Sequence, residues 1–465
     1  MEYLKHSVSG ILSGPLATHL RTGRTTVMHQ SEKYGPFASQ HLVRRPPVTI
    51  LACFSIFYLF LIQYCRHANY RDPTSYFFDP GTAYKPIYSA VRIKEVDAFI
   101  ESAETLPRPR TSGEPLTMCI GVATVKRDGE QYVRRTIGSL MEGLSEEERR
   151  TLYLTILIGH TEPSQHPIYA EKWNEHLPNK VLKYKKEDIP RVQQWEADGL
   201  YRNKTVFDYA YLLNDCYATG AKYIAMIEDD TLAVEGWYPR ALEALRDIED
   251  DVERRVKAAE HRALKQAQYG QPVEAPKRVE WAYLRLFYTE ALFGWNSENW
   301  RFYLFWSFTT WAIMTTSLVL VRPRIRSRTA QTFLSNPCIL AISGVCIPAL
   351  IGLFFMAGRN SVSPVAPGTH EMDKFGCCSQ GYVFPRDIIP RLLEWSHAEA
   401  NWLVDVMVEY VANEEGWVRW AKAPALLQHI GAISSKGFGF EHVTKQHWNF
   451  GFELYKKSRL ATRGG

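Results

Sequence analysis

Three stretches of the chain contain no Asp, Glu, Lys or Arg: residues 48–64, 302–321 and 338–357. A helix of about 20 apolar residues crosses a bilayer, and buried core helices are usually shorter, so these stretches read as membrane spans. Spans without an ionisable side chain also lack the groups that line ion or solute pathways, which leaves a transporter without support. No small-residue cleavage pattern follows the first run, so it reads as an uncleaved signal-anchor and not as a signal peptide. Acids are missing again from the segment between the second and third runs, which carries Arg322, Arg324, Arg326 and Arg328. Basic loops stay on the cytosolic side, so this segment is expected to be a cytosolic turn.

The 465 residues carry a net charge of only +5, and the basic residues form no stripe interleaved with aromatics. A nucleic-acid partner is therefore not expected. No internal repeat is visible. The hydrophobic runs divide the chain into a cytosolic tail (1–47), a transmembrane signal-anchor (48–65), a first lumenal part (66–301), a membrane hairpin (302–357, turn at 322–337) and a second lumenal part (358–465). Both lumenal parts then belong to one domain interrupted by the hairpin. Of eight cysteines, Cys53, Cys338 and Cys346 fall in apolar runs and Cys65 at the edge of one. Cys119, Cys216, Cys377 and Cys378 remain for an oxidising lumen, with their pairing open. Asn203-Lys204-Thr205 is a glycosylation sequon.

Within the lumenal part, strand-like apolar runs alternate with helical spacing. Strands are expected at Met118–Val125, Thr151–Ile158, Lys180–Tyr184, Tyr223–Ile227 and Trp281–Phe287. Helices are expected at Tyr132–Leu144, Thr205–Ala218, Asp387–Glu394 and Asn401–Val411. Pro239–Gln268, dense in Ala, Glu, Arg and Lys, reads as a solvated, peripheral helix. Alternation of this kind indicates an α/β fold with a parallel sheet, whose ligands bind beyond the carboxyl ends of the strands. Thr124–Arg127 and Glu228–Asp230 then share one rim.

Three consecutive carboxylates, Glu228-Asp229-Asp230, repel one another unless a cation or solvent intervenes. They are either a solvated acidic turn or a site for a hard divalent ion such as Mn2+ or Mg2+, completed by substrate phosphates. His429 is placed to add an imidazole ligand, or to serve as a structural hydrogen-bonding residue. Asp405, on an amphipathic helix, suits a general base, with a solvated-face Asp as the plainer reading. Lys126, Arg127, Arg202 and Lys204 lie near element ends on the same rim and suit neutralisation of a diphosphate.

These residues resemble a known family. Gly121–Arg127 (GVATVKR), Tyr223–Asp230 (YIAMIEDD), Asn401–Asp405 (NWLVD) and Gln428–Gly431 followed by Ser434-Ser435-Lys436 are similar, in the same order, to motifs of the N-acetylglucosaminyltransferase IV family. The hairpin, Trp281 with Leu284, Gly294-Trp295 and Cys377-Cys378-Ser379 resemble its relative, the post-GPI-attachment GalNAc-transferase family.

The resemblance implies a GT-A (Rossmann-like) fold, a UDP-sugar donor, Mn2+ as the usual metal, inversion at the anomeric carbon and a Golgi membrane location. It implies Asp230 and His429 at the metal, Glu228 or Asp229 at the ribose or metal shell, and Asp405 as base. The acceptor would be a GPI-anchored protein or GPI glycolipid lying against membrane lipid. Aromatics Trp295, Trp300, Phe302, Tyr303 and Trp306 would form an interfacial belt. The competing readings are an N-glycan acceptor and a non-catalytic scaffold that keeps the fold.

Overall fold

The computed structural model describes residues 45–109, 113, 115–269, 280–290, 294–372, 378–398, 403–431 and 447–456. Nearly all of the expected cytosolic tail, Cys377, Asn401, Trp402 and Ser434-Ser435-Lys436 lie outside these residues.

Apolar, β-branched sequence produces a sheet that is buried on both faces. Strands β1 (Met118–Thr124), β2 (Leu152–Ile158), β3 (Lys180–Leu182) and β4 (Tyr223–Glu228) are parallel, in the order β3-β2-β1-β4. Their register puts Thr124 level with Ile158 and Ala123 level with Glu228, so both expected site segments leave the same rim. β5 (Thr231–Ala233), β6 (Trp281–Arg285), β7 (Gly368–Glu371), β8 (Gly381–Pro385), β9 (Val418–Ala423) and β10 (Leu427–His429) follow.

The sheet is mixed where a purely parallel one was expected. It continues β4-β8-β6-β9-β7, with β8 antiparallel to β4 and β6, and β7 antiparallel to β9. β6 runs toward the carboxyl rim, where the long insertion that carries the two apolar helices begins. β7, the first strand after it, returns from that side and runs back in the opposite direction; β8 follows β7 and runs the same way as β7.

One face of the sheet is covered by helices α2 (Tyr88–Ser102), α3 (Val133–Met141) and the start of α5 (Trp237–Gln268), through residues such as Val96, Ile137 and Trp237. Gly138 permits the contact of α2 on α3, since a Cβ there would lie 2.6 Å from Val96 Cγ1 and 2.7 Å from Ile100 Cγ1. The other face packs against α4 (Tyr201–Ala218), α8 (Ile389–Ala398) and α9 (Val404–Glu414). α5 corrects the peripheral reading of residues 239–268: Trp237, Tyr238, Ala241, Ala244, Leu245 and Ile248 are buried, and only the later turns are solvated. Its charged residues hide an apolar stripe confined to the first three turns. The expected helix at 401–411 starts later, at Val404, so Asp405 sits in a first turn.

Three helices are long and apolar enough to cross a membrane: α1 (Pro46–Ala68), α6 (Trp300–Val321) and α7 (Asn336–Met356). The Tyr58 hydroxyl of α1 donates to the Ala349 carbonyl, and Trp311 Nε1 of α6 donates to the Ser343 carbonyl of α7. Ser343 lies in a π-helical stretch, Ile342–Cys346, where the widened turn loosens the internal ladder. Polar contacts also hold the ends of these helices against the sheet domain. Tyr76 N and Ser75 Oγ donate to the Met356 carbonyl, Ser361 N donates to Asp72 Oδ2, and Asn360 Nδ2 donates to the Glu290 carbonyl.

Cys119 of β1 and Cys216 of α4 form a disulfide with Cα atoms 5.4 Å apart, which decides part of the open pairing. Cys378 is disulfide-bonded as well, to a partner outside the described residues.

Candidate functional site

The chain turns sharply after β4, and Thr136 of α3 fixes the turn. Its hydroxyl accepts from Thr231 N at 3.1 Å and lies 2.8 Å from the carbonyls of both Asp229 and Thr231. β5 then pairs antiparallel with β10, with His429 opposite Thr231. This pairing carries the histidine from the far end of the sequence to the acidic triplet. Ile430 N donates to the Asp230 carbonyl at 2.8 Å. Gly431 passes so close that a Cβ would overlap Asp230 Oδ2, so the approach requires glycine.

Asp230 Oδ2 lies 3.1 Å from Arg127 Nη2 and 3.3 Å from His429 Nε2. Asp230 Oδ1 is buried and has no hydrogen-bond partner among the described residues. Burial alone would raise the Asp230 pKa, but the adjacent His429 and Arg127 charges hold it well below the usual carboxylate range. Burial works against protonated His429, and the Asp230 carboxylate overcomes it, moving the imidazole pKa up.

Asp229 is engaged on both oxygens. Oδ1 pairs with Arg127 Nη2, and Oδ2 accepts from Thr124 Oγ1 at 2.7 Å. Burial pushes its pKa up, against the pull of Arg127. Thr124 has a partner that the sequence did not suggest, His166 Nε2 at 3.2 Å. Ile168 N donates to His166 Nδ1, so the network places the proton on Nε2, from which it is donated to Thr124. Burial lowers the His166 pKa to about 4, which keeps the ring neutral. Nearby, His160 Nε2 accepts from Lys126 N at 2.8 Å. Two histidines from the loop after β2 thus shape the segment Thr124–Arg127.

Glu228 leaves the strand on the opposite face from Asp229. Its backbone N donates to the Gln380 carbonyl at 3.1 Å, and Ser379 Oγ donates to Oε1. Two polar atoms on this side are buried without a partner among the described residues, the Tyr209 hydroxyl and Gln380 Oε1. Burial, and then the charge of Glu228, raise the Tyr209 pKa, so its hydroxyl stays a neutral donor.

The remaining expected residues divide. Lys204 is buried, and its Nζ donates to the Gly159 carbonyl (2.8 Å), Asp208 Oδ2 (2.8 Å) and the Tyr184 hydroxyl (3.0 Å). All three ammonium donors are used within the protein. Arg202 and the Lys126 side chain are exposed, and among the described residues neither contacts the carboxylates. Asp405 is half-buried in the first turn of α9, where Val406 N donates to its Oδ1 at 3.0 Å. Its neighbours Val404 and Met407 pack in one cluster with Tyr382 and Phe384, on the face toward which Glu228 points. Asn203 of the sequon lies in the first turn of α4.

Direct contacts thus gather Thr124, Arg127, Asp229, Asp230 and His429, while Glu228, at the end of β4, points to the other face yet stays near enough for its charge to act on His429. His160, His166, Thr136 and Tyr209 escaped sequence reading because each belongs to no motif and becomes significant only through the fold. Behind His429 the side chain of Gln428 is fixed by the Asn449 backbone, in both directions at 2.9 Å, and Asn449 Nδ2 donates to the Tyr288 carbonyl. Gly451 N donates to Glu290 Oε1 at 2.8 Å.

Among the described residues no three His, Cys, Asp or Glu side chains converge as a closed metal cage. The unpartnered Asp230 Oδ1 fits a different kind of site, which His429 Nε2 would join as a neutral imidazole on giving up its contact with Asp230 Oδ2. Together they offer two protein ligands for a hard divalent ion whose remaining positions go to substrate phosphate and water.

A protein-family model described as GPI-N-acetylgalactosamine transferase PGAP4 matches residues 118–428, a span that starts at β1, includes α6 and α7, and ends beside His429. No curated protein matches the chain.

Proposed function

The chain belongs to the PGAP4 family of GPI-N-acetylgalactosamine transferases, and from that premise we propose that it moves GalNAc from a UDP-sugar to a mannose of the GPI glycan with inversion. The family itself makes the chain a glycosyltransferase with a GPI glycolipid or GPI-anchored protein as acceptor, which favours that acceptor over an N-glycan. The observation that carries the finer reading is the rim site, where Asp230 keeps one buried oxygen without a partner beside Arg127 and His429. The acidic turn after the fourth parallel strand supports a GT-A assignment. The Cys119–Cys216 disulfide supports a lumenal domain in the Golgi.

In this reading Asp230 and His429 would hold Mn2+ or Mg2+, with the donor diphosphate filling further positions. When bound, the ion supplies Lewis-acid stabilisation of the leaving diphosphate. Arg127, gripped by Asp229, adds a fixed positive charge close to the phosphates, and Thr124 and His166 keep Asp229 in that position. Lys204 acts indirectly, by tying α4 to Gly159 beneath the rim. Asp405 accepts the proton of the mannose hydroxyl as its oxygen bonds to the anomeric carbon. The bond from that carbon to the phosphate oxygen breaks, and UDP carries away its electron pair.

The test is the GPI glycan mass profile of cells lacking this protein, complemented with wild type or Asp230→Ala. Wild type is expected to restore a HexNAc on the GPI mannose core, and Asp230→Ala at equal abundance is not. Restoration by the variant would remove Asp230 from the donor site.

A further inference from the structure

Two polar atoms near Glu228, the Tyr209 hydroxyl and Gln380 Oε1, are buried without a partner among the described residues. Alternation along β4 puts Glu228 on the face of Ile224 and Met226, and alternation along β8 puts Gln380 on the face of Tyr382 and Phe384. Tyr209 packs against that same face from α4. A buried polar group without a partner costs free energy in the free protein, so two such groups beside one carboxylate call for a ligand that completes them. The phenol is a donor, the amide oxygen is an acceptor and the carboxylate is an acceptor. An anion would be repelled by the two acceptors, and an apolar group would leave the phenol and the amide oxygen unpaired. A sugar hydroxyl, which donates and accepts at one atom, satisfies both kinds of group.

We propose that Tyr209, Gln380 and Glu228 form a subsite that hydrogen-bonds the hydroxyls of a pyranose ring, with Tyr209 donating and Gln380 accepting. The inference rests on the transferase reading above and adds residues that set sugar specificity. Sites that hydrogen-bond a substrate hydroxyl reject analogues lacking it far better than apolar pockets do, because the protein groups are then left bare. The ring belongs either to the donor sugar or to the acceptor mannose, and kinetics separates the two.

The test uses the full chain in detergent micelles with Tyr209→Phe and Gln380→Met. Thermal unfolding is measured without substrate, and initial rates are measured against donor and acceptor concentration separately. Since neither side chain loses an internal partner, the melting temperature is expected to stay level or rise. KM for one substrate is expected to rise about five- to tenfold, the effect of one hydrogen bond, with kcat within about twofold. A donor KM effect assigns the ring to the nucleotide-sugar, and an acceptor KM effect assigns it to the GPI mannose. A fall in melting temperature in both variants, or unchanged KM for both substrates while wild type is active, would overturn the subsite. Should wild type transfer no GalNAc, the reaction reading fails by itself. The subsite is then judged by protection of wild type from heat by UDP-GalNAc or a mannosyl GPI fragment, with loss of that protection in Tyr209→Phe as support and equal protection as refutation.

Discussion

The two sides of the Glu228-Asp229-Asp230 turn are built differently. On the Asp229 and Asp230 side, Arg127, Thr124, His166, Thr136 and His429 interlock through direct contacts, and a single oxygen is left over. On the Glu228 side the carboxylate is engaged, by Ser379 among others, while Tyr209 and Gln380 keep buried atoms without partners among the described residues. A dense network holds its groups in place before any ligand arrives, as stabilisation of developing charge requires. The unpartnered Tyr209 and Gln380 atoms leave hydrogen-bonding capacity for a substrate. The contrast assigns phosphate chemistry to the first side and sugar recognition to the second.

The strongest way to break the comparison is to neutralise one carboxylate on each side. Asp230→Asn is expected to lower kcat about 10²- to 10³-fold, the range for losing a preorganised electrostatic contact. Glu228→Gln keeps the shape of its side chain and is expected to act mainly on KM, by roughly tenfold, the size of one charge-assisted hydrogen bond. Steady-state kinetics with saturating metal reads both. Equal kcat losses would make the triplet one functional unit and erase the distinction.

A smaller effect separates site from scaffold. Lys204→Met removes the cation facing Asp208, and both side chains are less than a tenth exposed. Stripping one partner from a buried ion pair costs about 3–5 kcal/mol, and the surviving Tyr184–Asp208 hydrogen bond puts the expectation near the lower figure. Chemical denaturation of the solubilised protein is expected to show that loss, with donor KM of the folded fraction within about threefold. A large donor KM change at unaltered stability would return Lys204 to the phosphate.

Much of this arrangement was readable from the sequence where a local pattern sufficed. β1 and β4 announce themselves as β-branched runs ending in charge, and the three charge-free runs announce the membrane helices. The rim followed, since parallel strands end together. What escaped was whatever depends on long-range register. Nothing around His166 marks it as a partner of Thr124, and nothing in the run Gly381–Pro385 marks β8 as antiparallel to β4 and β6. Lys204 misled for a related reason: at the start of a helix near the rim it looks like a phosphate ligand, until Asp208, one turn on, claims it. α5 misled because its surplus of charge outweighs an apolar stripe only three turns long.

The smallest expected effect concerns the far end of the densely paired side, where it meets the membrane helices. Gln428, next to His429, is fixed by Asn449, which reaches the Tyr288 carbonyl, and Glu290 accepts from Gly451 N while its own carbonyl accepts from Asn360. Burial, aided by the charge of Asp72 and opposed by the Gly451 N–H, pushes the Glu290 pKa from 4.5 up to about 7. A carboxyl with a raised folded-state pKa favours folding most when it is protonated. Its contribution is therefore complete below about pH 4.5 and is lost as pH rises through about 7. Wild type is expected to lose several degrees of melting temperature between pH 5.5 and 8, the shift that about 2 kcal/mol produces in a domain of this size. Glu290→Gln keeps an acceptor for Gly451 N and carries no charge, so its melting temperature is expected to stay level over that range and to exceed wild type at pH 8. Parallel pH profiles for both proteins would place the sensitive carboxyl elsewhere. Flattening in the variant would show that the anchorage behind His429 tightens in mildly acidic surroundings.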